Sequence, residues 1–222
     1  MSVETSPPGG FPAPPPEVLD GPPTLAPALD VEAWVLDTVL DEGGALYNPD
    51  HELLRSWEPR VGVLWATEPL VKSGRRVLGR CALGRPSGDA WAQLARTEQL
   101  VRWFGDVPAF TVTLDARFVS HALRTGRGAD VLALVEHELY HCGQEVDRYR
   151  APKFNRDGSP KWAVRPHDVE EFAGVVRRYG VAASAAGPLV AAAEHVREHG
   201  PDVAPATIDG VCGTCRREVA AP

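Results

Sequence analysis

The strongest constraint on the fold is a run of helix-forming, apolar residues, 129–136, that leads directly into His137-Glu138-Leu139-Tyr140-His141. Apolar side chains recur along this run at helical spacing, at Val131, Val135, Leu139 and Cys142. A helix brings residues three and four apart onto one face, so the stripe indicates an amphipathic helix packed on a core. Asp130 suits its first turn, and Gly143 suits its end. The sequence therefore predicts a half-buried helix that carries two histidines four residues apart.

These two histidines share one face of the predicted helix. Because the helix turns once in 3.6 residues, the imidazoles of His137 and His141 can both reach one metal ion, and zinc accepts histidine nitrogen. Glu138 projects about 100° away from His137. From there it can act on a water at the metal without binding the metal itself. We predict that His137 and His141 bind Zn²⁺ and that Glu138 is the catalytic base.

A third zinc ligand is expected further along the chain, since catalytic zinc sites hold three protein ligands and leave a fourth position for water. The segment after Arg165 is the best candidate. Pro166 suits the first turn of a helix, because its missing N–H would have no partner there. The sequence predicts this helix over 167–179 and its end at Gly180.

The start of that second helix is rich in residues that bind metals. His167 is the predicted third ligand, and Glu171, four residues later, shares its face. Glu171, with Asp168, is expected to support the site by accepting a hydrogen bond from a ligating histidine. Asp168 and Glu170 remain alternatives for the third ligand, because a carboxylate can also complete a zinc site.

The chain resembles the phage metallopeptidases, which are small zincin-like domains found in phage and bacterial genomes. The resemblance rests on segments 137–142 and 167–172, with support from segments 61–65 and 77–79. The resemblance covers about residues 45–180. The first motif is shared by many zinc peptidases, and the pair of motifs is more specific. The resemblance implies a zincin-like α+β fold and a zinc-dependent peptidase, without naming a substrate.

The remaining histidines are predicted to be structural. His195 and His199 belong to an H-x-x-E-H sequence, which is the inverted zinc motif, but a Gly-Pro pair follows it directly. The second of these histidines would therefore lie at a fraying helix end. In segment 51–55 an arginine replaces the second histidine of the motif, and His121 stands alone.

The four cysteines form no recognisable framework. Cys212 and Cys215 make a single C-x-x-C, whereas a zinc ribbon needs two such pairs. We expect incidental thiols in a flexible tail, with a zinc clip shared between two chains as the alternative. Cys142 is expected to pack as a small apolar residue. The irregular spacing of the cysteines favours a reducing cytoplasm.

Charge and hydropathy narrow the class of protein. The formal net charge of −7 argues against a nucleic-acid binder, which needs a basic face. The N-terminus lacks the basic and apolar regions of a signal peptide. The alanine-rich segment 181–193 is too short and too interrupted to cross a bilayer. We expect a cytoplasmic protein whose partner is a protein or peptide substrate.

Composition divides the chain into three parts. Residues 1–28 contain 9 of the 21 prolines and few large apolar side chains, so a disordered tail is predicted. Residues 29–205 are predicted to form a single zincin-like metallopeptidase domain of the α+β class, with a small mixed sheet packed against the metal-binding helix. Residues 206–222 are expected to be a flexible tail that carries the C-x-x-C.

Hydrophobic periodicity predicts the main elements of this domain: helices over 30–40 and 89–104, and strands over 61–66, 76–83 and 110–114. In the second helix the inward candidates are Trp91, Leu94, Leu100 and Phe104. The strand 110–114 is either an interior strand or the rim of a cleft, where it would pair with an extended peptide. Asp157-Gly158 predicts a hairpin turn.

Two functional hypotheses follow. The first is a zinc peptidase in which Glu138 takes a proton from the attacking water and passes it to the leaving amine. Tyr149 and Tyr179 are candidates for a further donor to the oxyanion. The second is a zinc-stabilised binding or regulatory module that acts on one protein partner. The intact Glu138 favours the peptidase, because a purely structural site has no use for a base.

Overall fold

The computed structural model describes residues 10–72, 74–167 and 186–206, and the backbone of 211–212. Internal contacts divide the chain into two units. One comprises Met1–Arg165 with Ala206–Pro222, and the other is Pro166–Pro205. No helix in these ranges is long and apolar enough to span a membrane.

The first unit combines helices with two sheets, which confirms the α+β class. Its α-helices are α1 (Pro16–Leu19), α2 (Leu29–Val35), α3 (Glu52–Trp57), α4 (Ala90–Phe104), α5 (Ala116–Arg124) and α6 (Gly128–Tyr140). A π-helix, Leu36–Leu40, continues α2, and a 3-10 turn, Pro49–His51, precedes α3. The strands are β1 (Leu25–Pro27), β2 (Val61–Ala66), β3 (Leu70–Lys72), β4 (Arg75–Leu83), β5 (Phe110–Asp115), β6 (Cys142–Gln144), β7 (Trp162–Val164) and β8 (Val211–Cys212).

The larger sheet is mixed, as the sequence predicts. Its strands lie in the order β1-β2-β5-β4-β3, with β8 paired to β4. β2 and β5 are parallel, whereas β4 runs antiparallel to β5. Since β5 has a neighbour on each side, its backbone groups are already paired. The hypothesis that β5 forms the rim of a peptide-binding cleft is therefore wrong, and the interior alternative holds.

Alternation along β4 and β5 gives this sheet two different faces. One, the α6 face, carries Val63, Trp65, Gly79, Cys81, Val112 and Leu114. The apolar side chains of this face belong to the main core, together with residues of α2, α5 and α6. The other, the α4 face, carries Gly62, Leu64, Arg80, Ala82, Thr111 and Thr113. The helix with the two histidines therefore packs on one face only.

Helix α4 covers part of the other face. Asp89 caps it by accepting hydrogen bonds from the backbone N–H groups of Trp91 and Ala92 in the first turn. Leu100 and Phe104 pack against the sheet, as predicted. Trp91 and Leu94 do not, since they are 87% and 58% exposed. The prediction of inward positions is wrong for these two residues, because only the C-terminal half of α4 packs on the sheet.

The structure also differs from the predicted N-terminal tail. Residues 10–28 contain α1 and β1, and β1 pairs antiparallel with β2. Phe11 is buried, with its ring centroid 4.9 Å from that of Trp34. This apolar anchor and the strand pairing order a segment that its prolines alone predict to be disordered. In the predicted C-terminal tail, β8 likewise pairs with β4, so Val211 and Cys212 have regular structure.

The second unit contains the helix α7 (Gly187–His199). Pro188 lies in its first turn, where a proline is tolerated. None of the side chains of α7 is buried, and the rings of His195 and His199 stack at 4.5 Å between centroids. The helix predicted over 167–179 lies outside the described residues, except for His167.

Candidate metal centre

The C-terminal end of α6 carries the first two candidate ligands. Their possible ligand atoms lie within 4.8 Å of each other, and the ring centroids of His137 and His141 are 5.1 Å apart. His137 is half-buried and His141 is buried. Helix α6 ends at Tyr140 with His141 as its C-cap, and β6 begins at Cys142. The helix therefore ends earlier than the sequence predicts from Gly143. The helical spacing thus brings both imidazoles to one side, as predicted.

The ring of His141 is held by backbone groups of Arg165. Its Nδ1 donates to the carbonyl oxygen of Arg165 at 2.6 Å, and the N–H of Arg165 donates to the carbonyl of His141 at 2.8 Å. The pairing of β6 with β7 brings these two residues together. A proton on Nδ1 leaves Nε2 as the metal-binding nitrogen. The sequence alone does not predict this bond to a backbone carbonyl.

A network on the adjacent face of α6 fixes how the helix is rotated. Asn48 donates to Oε1 of Glu136 at 2.6 Å, and the hydroxyl of Tyr140 donates to Oδ2 of Asp50 at 2.7 Å. His51 packs on Tyr140, with 4.8 Å between ring centroids. The imidazole of His51, whose Nε2 lies 3.5 Å from Oε1 of Glu136, lowers the pKa of Glu136. Burial raises the pKa of Tyr140 to about 12. Sequence analysis missed this network, because its partners lie about 90 residues apart.

Glu138 lies on a third side of the helix, under β4, and has no exposed surface. A Cβ atom built at Gly79 would stand 2.7 Å from Oε1 of Glu138 and 2.9 Å from Cδ1 of Leu134. Both distances are too short for a real contact. The absence of a side chain at Gly79 is therefore what makes room for the carboxylate. A glycine inside a predicted strand is the signal that could have pointed to this close approach.

Two thiols border the same region. Sγ of Cys142 lies 3.6 Å from Sγ of Cys81 and 3.8 Å from the carbonyl oxygen of Glu138. The contact with Cys81, burial and the nearby Glu138 raise the pKa of Cys142 well above its usual value. Cys142 is 7% exposed, and the prediction that it packs in the core is confirmed. A buried thiol that stays protonated is an unsuitable metal ligand, and this applies to Cys142.

Of the three predicted ligands, His137 and His141 belong to the first unit. His167 is exposed and belongs to the second unit. The other predicted participants of its segment, Asp168, Glu170 and Glu171, lie outside the described residues.

The other residues considered as candidates have different surroundings. His121 is exposed on α5, and His51 is buried against Glu136. Tyr149, a predicted oxyanion donor, is 73% exposed and its backbone N–H donates to Asp147. Tyr179, the other candidate, and Cys215 of the C-x-x-C lie outside the described residues.

An α+β unit whose packed helix presents two histidines one turn apart defines a candidate metal-binding protein. Over residues 32–194 the chain matches the family described as "Putative phage metallopeptidase". This match covers more than half of the chain, and the protein belongs to that family. No curated protein and no solved structure matches the chain.

Proposed function

We propose that this protein is a zinc-dependent metallopeptidase that hydrolyses peptide bonds in a protein or peptide substrate. The observation that carries the proposal is the orientation of His141. A neutral imidazole that donates Nδ1–H to a backbone carbonyl presents Nε2 to a metal, which is the arrangement found around ligating histidines. A histidine with a purely structural role would not need its ring fixed beside a second histidine in this way.

The proposed ligands are His137, His141 and His167. Three imidazole nitrogens suit zinc and leave a fourth position for water. His167 follows Arg165 by two residues, so its Cα lies within about 7.6 Å of the residue that holds His141. When bound, zinc would make a water more acidic and polarise the substrate carbonyl.

Glu138 is the proposed base. It follows His137 directly on α6, so its side chain projects about 100° away from that of His137 around the helix. It would take a proton from the attacking water and return it to the leaving amine. The packing of Glu138 against Gly79 holds the carboxylate in one place, which a proton-transferring group requires.

A second candidate function is favoured by the complete burial of Glu138. A carboxylate without solvent-accessible surface takes no proton from a substrate-attacking water until the side chains that cover it move. A zinc-stabilised module that binds or regulates one protein partner needs no such movement. In that case the protein would hold zinc and show no turnover of general peptide substrates.

The experiment that tests the proposal measures zinc per chain by mass spectrometry on protein purified without a histidine tag. Hydrolysis of a fluorogenic peptide library is measured on the same samples. The variants are His137→Ala, His141→Ala, His167→Ala and Glu138→Gln, and the matched control is His121→Ala, which removes an exposed histidine from α5. We expect about one zinc per wild-type chain, lost in the first two variants and weakened in the third.

Turnover separates the two candidate functions. Glu138→Gln should keep its zinc and lose hydrolysis, because the amide has the same shape and cannot accept the proton. Hydrolysis that persists in this variant would exclude Glu138 as the base. Zinc that is bound by the wild type, Glu138→Gln and His121→Ala, without hydrolysis by any of them, would support the binding module. Zinc that survives in His141→Ala would exclude the proposed centre.

A further inference from the structure

A groove of about 810 Å³ opens on the α4 face of the sheet, on the side opposite to α6. Its polar walls include Arg80 on β4, Thr113 on β5 and Arg96 on α4. Apolar side chains complete it, among them Pro23, Leu25, Leu70 and Pro86. All of these residues belong to the first unit. The sheet itself separates this groove from the two histidines of α6.

Two arginines converge on the groove. Arg80 lies directly across from Thr113 in the antiparallel pair, so their side chains are neighbours on the same face. Arg96 reaches the groove from α4 and passes over the ring of Trp103, with 5.7 Å between its Cζ and the ring centroid. Neither guanidinium forms an ion pair with any carboxylate of the described residues. Burial lowers the pKa of Arg96, and the charge of Arg80 lowers it further.

The acids near the groove do not neutralise these arginines. Asp115 lines the groove, but both of its carboxylate oxygens accept hydrogen bonds from Arg76, at 2.6 and 2.8 Å. Glu68 also lines the groove; it is exposed and forms no ion pair within the described chain. Two like charges that interact across a partly buried groove repel each other, and a bound anion would relieve that repulsion.

We infer that this groove binds a small molecule that carries a phosphate monoester. Its volume falls within the range of about 300–1,000 Å³ that is typical of small-molecule sites. Arginine is well suited to phosphate, because its planar fork of donors matches two oxygens at once. Two guanidiniums match the two negative charges of a phosphate monoester, and the hydroxyl of Thr113 adds a donor. The apolar walls would hold the organic part of the molecule.

The test uses phenyl phosphate as the probe, with binding to the full-length protein measured by isothermal titration calorimetry. The variants are Arg80→Gln, Arg96→Gln and Thr113→Val. The matched control is Arg102→Gln, which removes another arginine of α4 that does not line the groove. Each charge-assisted hydrogen bond that is lost should weaken binding about tenfold or more. Thr113→Val should weaken binding less, and the control should leave it unchanged.

Further measurements test whether each variant is folded and whether phenyl phosphate binds in the groove. Thermal unfolding of every variant checks that it is folded, and Arg80→Gln changes an exposed side chain, so it should fold even if Arg96→Gln does not. Binding that is equal in wild type and Arg80→Gln, or that falls as much in Arg102→Gln, would overturn the inference. So would binding lost in His141→Ala but kept in Arg80→Gln and Arg96→Gln, which would place the phosphate at the metal centre.

Benzoate, inorganic phosphate and phenyl phosphate then separate the ligand chemistries. Phenyl phosphate should bind most tightly, because it offers both the dianion and an apolar body. Benzoate that binds as tightly, with the same dependence on Arg80, would overturn the assignment to phosphate. These readouts do not require hydrolysis, so they stand or fall separately from the proposed peptidase activity.

Discussion

Gly79→Ala is expected to damage the packing of Glu138 without touching the two histidines. The added Cβ would lie 2.7 Å from Oε1 of Glu138 and 2.9 Å from Cδ1 of Leu134, well below the 3.4 Å at which ordinary van der Waals contact begins. Both of these side chains are buried. Overpacking of this kind costs about 1–3 kcal/mol of the free energy of unfolding. In a chain of this size that lowers Tm by about 2 to 12 °C.

The chain provides a matched control for this prediction. A Cβ at Gly62 would meet the ring of Phe104 at 2.9 Å, on the α4 face of the same sheet. Gly62→Ala should therefore cost a similar free energy of unfolding while leaving Glu138 in place. The assays are urea unfolding, zinc content and peptide hydrolysis. Gly79→Ala should keep its zinc but lose more hydrolytic activity than Gly62→Ala when both are assayed fully folded.

A double-mutant cycle decides whether Glu138 is the cause. In a Glu138→Ala background the carboxylate is gone, so Gly79→Ala should cost less free energy of unfolding than in the wild type. Residues in direct contact typically couple by about 0.5–3 kcal/mol. An equal cost of Gly79→Ala in both backgrounds would refute the claim that this glycine makes room for the carboxylate.

Three further predictions concern regions outside the metal centre. Hydrogen bonds from Lys153 and Lys161 lower the pKa of Glu145 from its usual 4.5 to about 2. Its stabilising contribution is therefore present above about pH 4.5 and is lost towards pH 2. Glu145→Gln should therefore make the unfolding midpoint less sensitive to pH between 4.5 and 2, and 1 M salt, in which the screening length is only about 3 Å, should reduce the difference from wild type. Asp115→Ala should lower the free energy of unfolding in urea by about 0.5–2 kcal/mol, because this carboxylate caps α5; an unchanged midpoint would contradict that role. Trp91→Ser should change the free energy of unfolding by less than about 0.5 kcal/mol, since its side chain is 87% exposed.

Local patterns predicted the regular elements well. The strand over 61–66 has its predicted bounds, and α4 begins just after its predicted cap Asp89. Hydrophobic periodicity depends only on residues that are close in sequence, so it predicts a helix or strand without knowledge of the tertiary contacts. Periodicity cannot show how much of a helix packs against a sheet, which is why the predicted inward positions of Trp91 and Leu94 are wrong. The order of residues 10–28 likewise depends on a distant partner, Trp34.

The candidate site divides in the same way. Two histidines four residues apart are easy to recognise in a predicted helix. Their spacing alone therefore predicts that His137 and His141 share one face. The bond from His141 to the carbonyl of Arg165 was not predictable, because every residue has a carbonyl and only the pairing of β6 with β7 selects this one. The close approach of Gly79 to Glu138 required a β4 register that no local pattern encodes.

The contact between His141 and Arg165 has an evolutionary consequence. The ring is held by a main-chain oxygen, so the side chain at position 165 can vary without disturbing the imidazole. The proline that follows keeps Arg165 out of the helical region of backbone space and so helps to fix the direction of that carbonyl. In related sequences we therefore expect drift at position 165 beside a retained proline at 166. A comparison of such sequences by residue identity would miss the support of this histidine altogether.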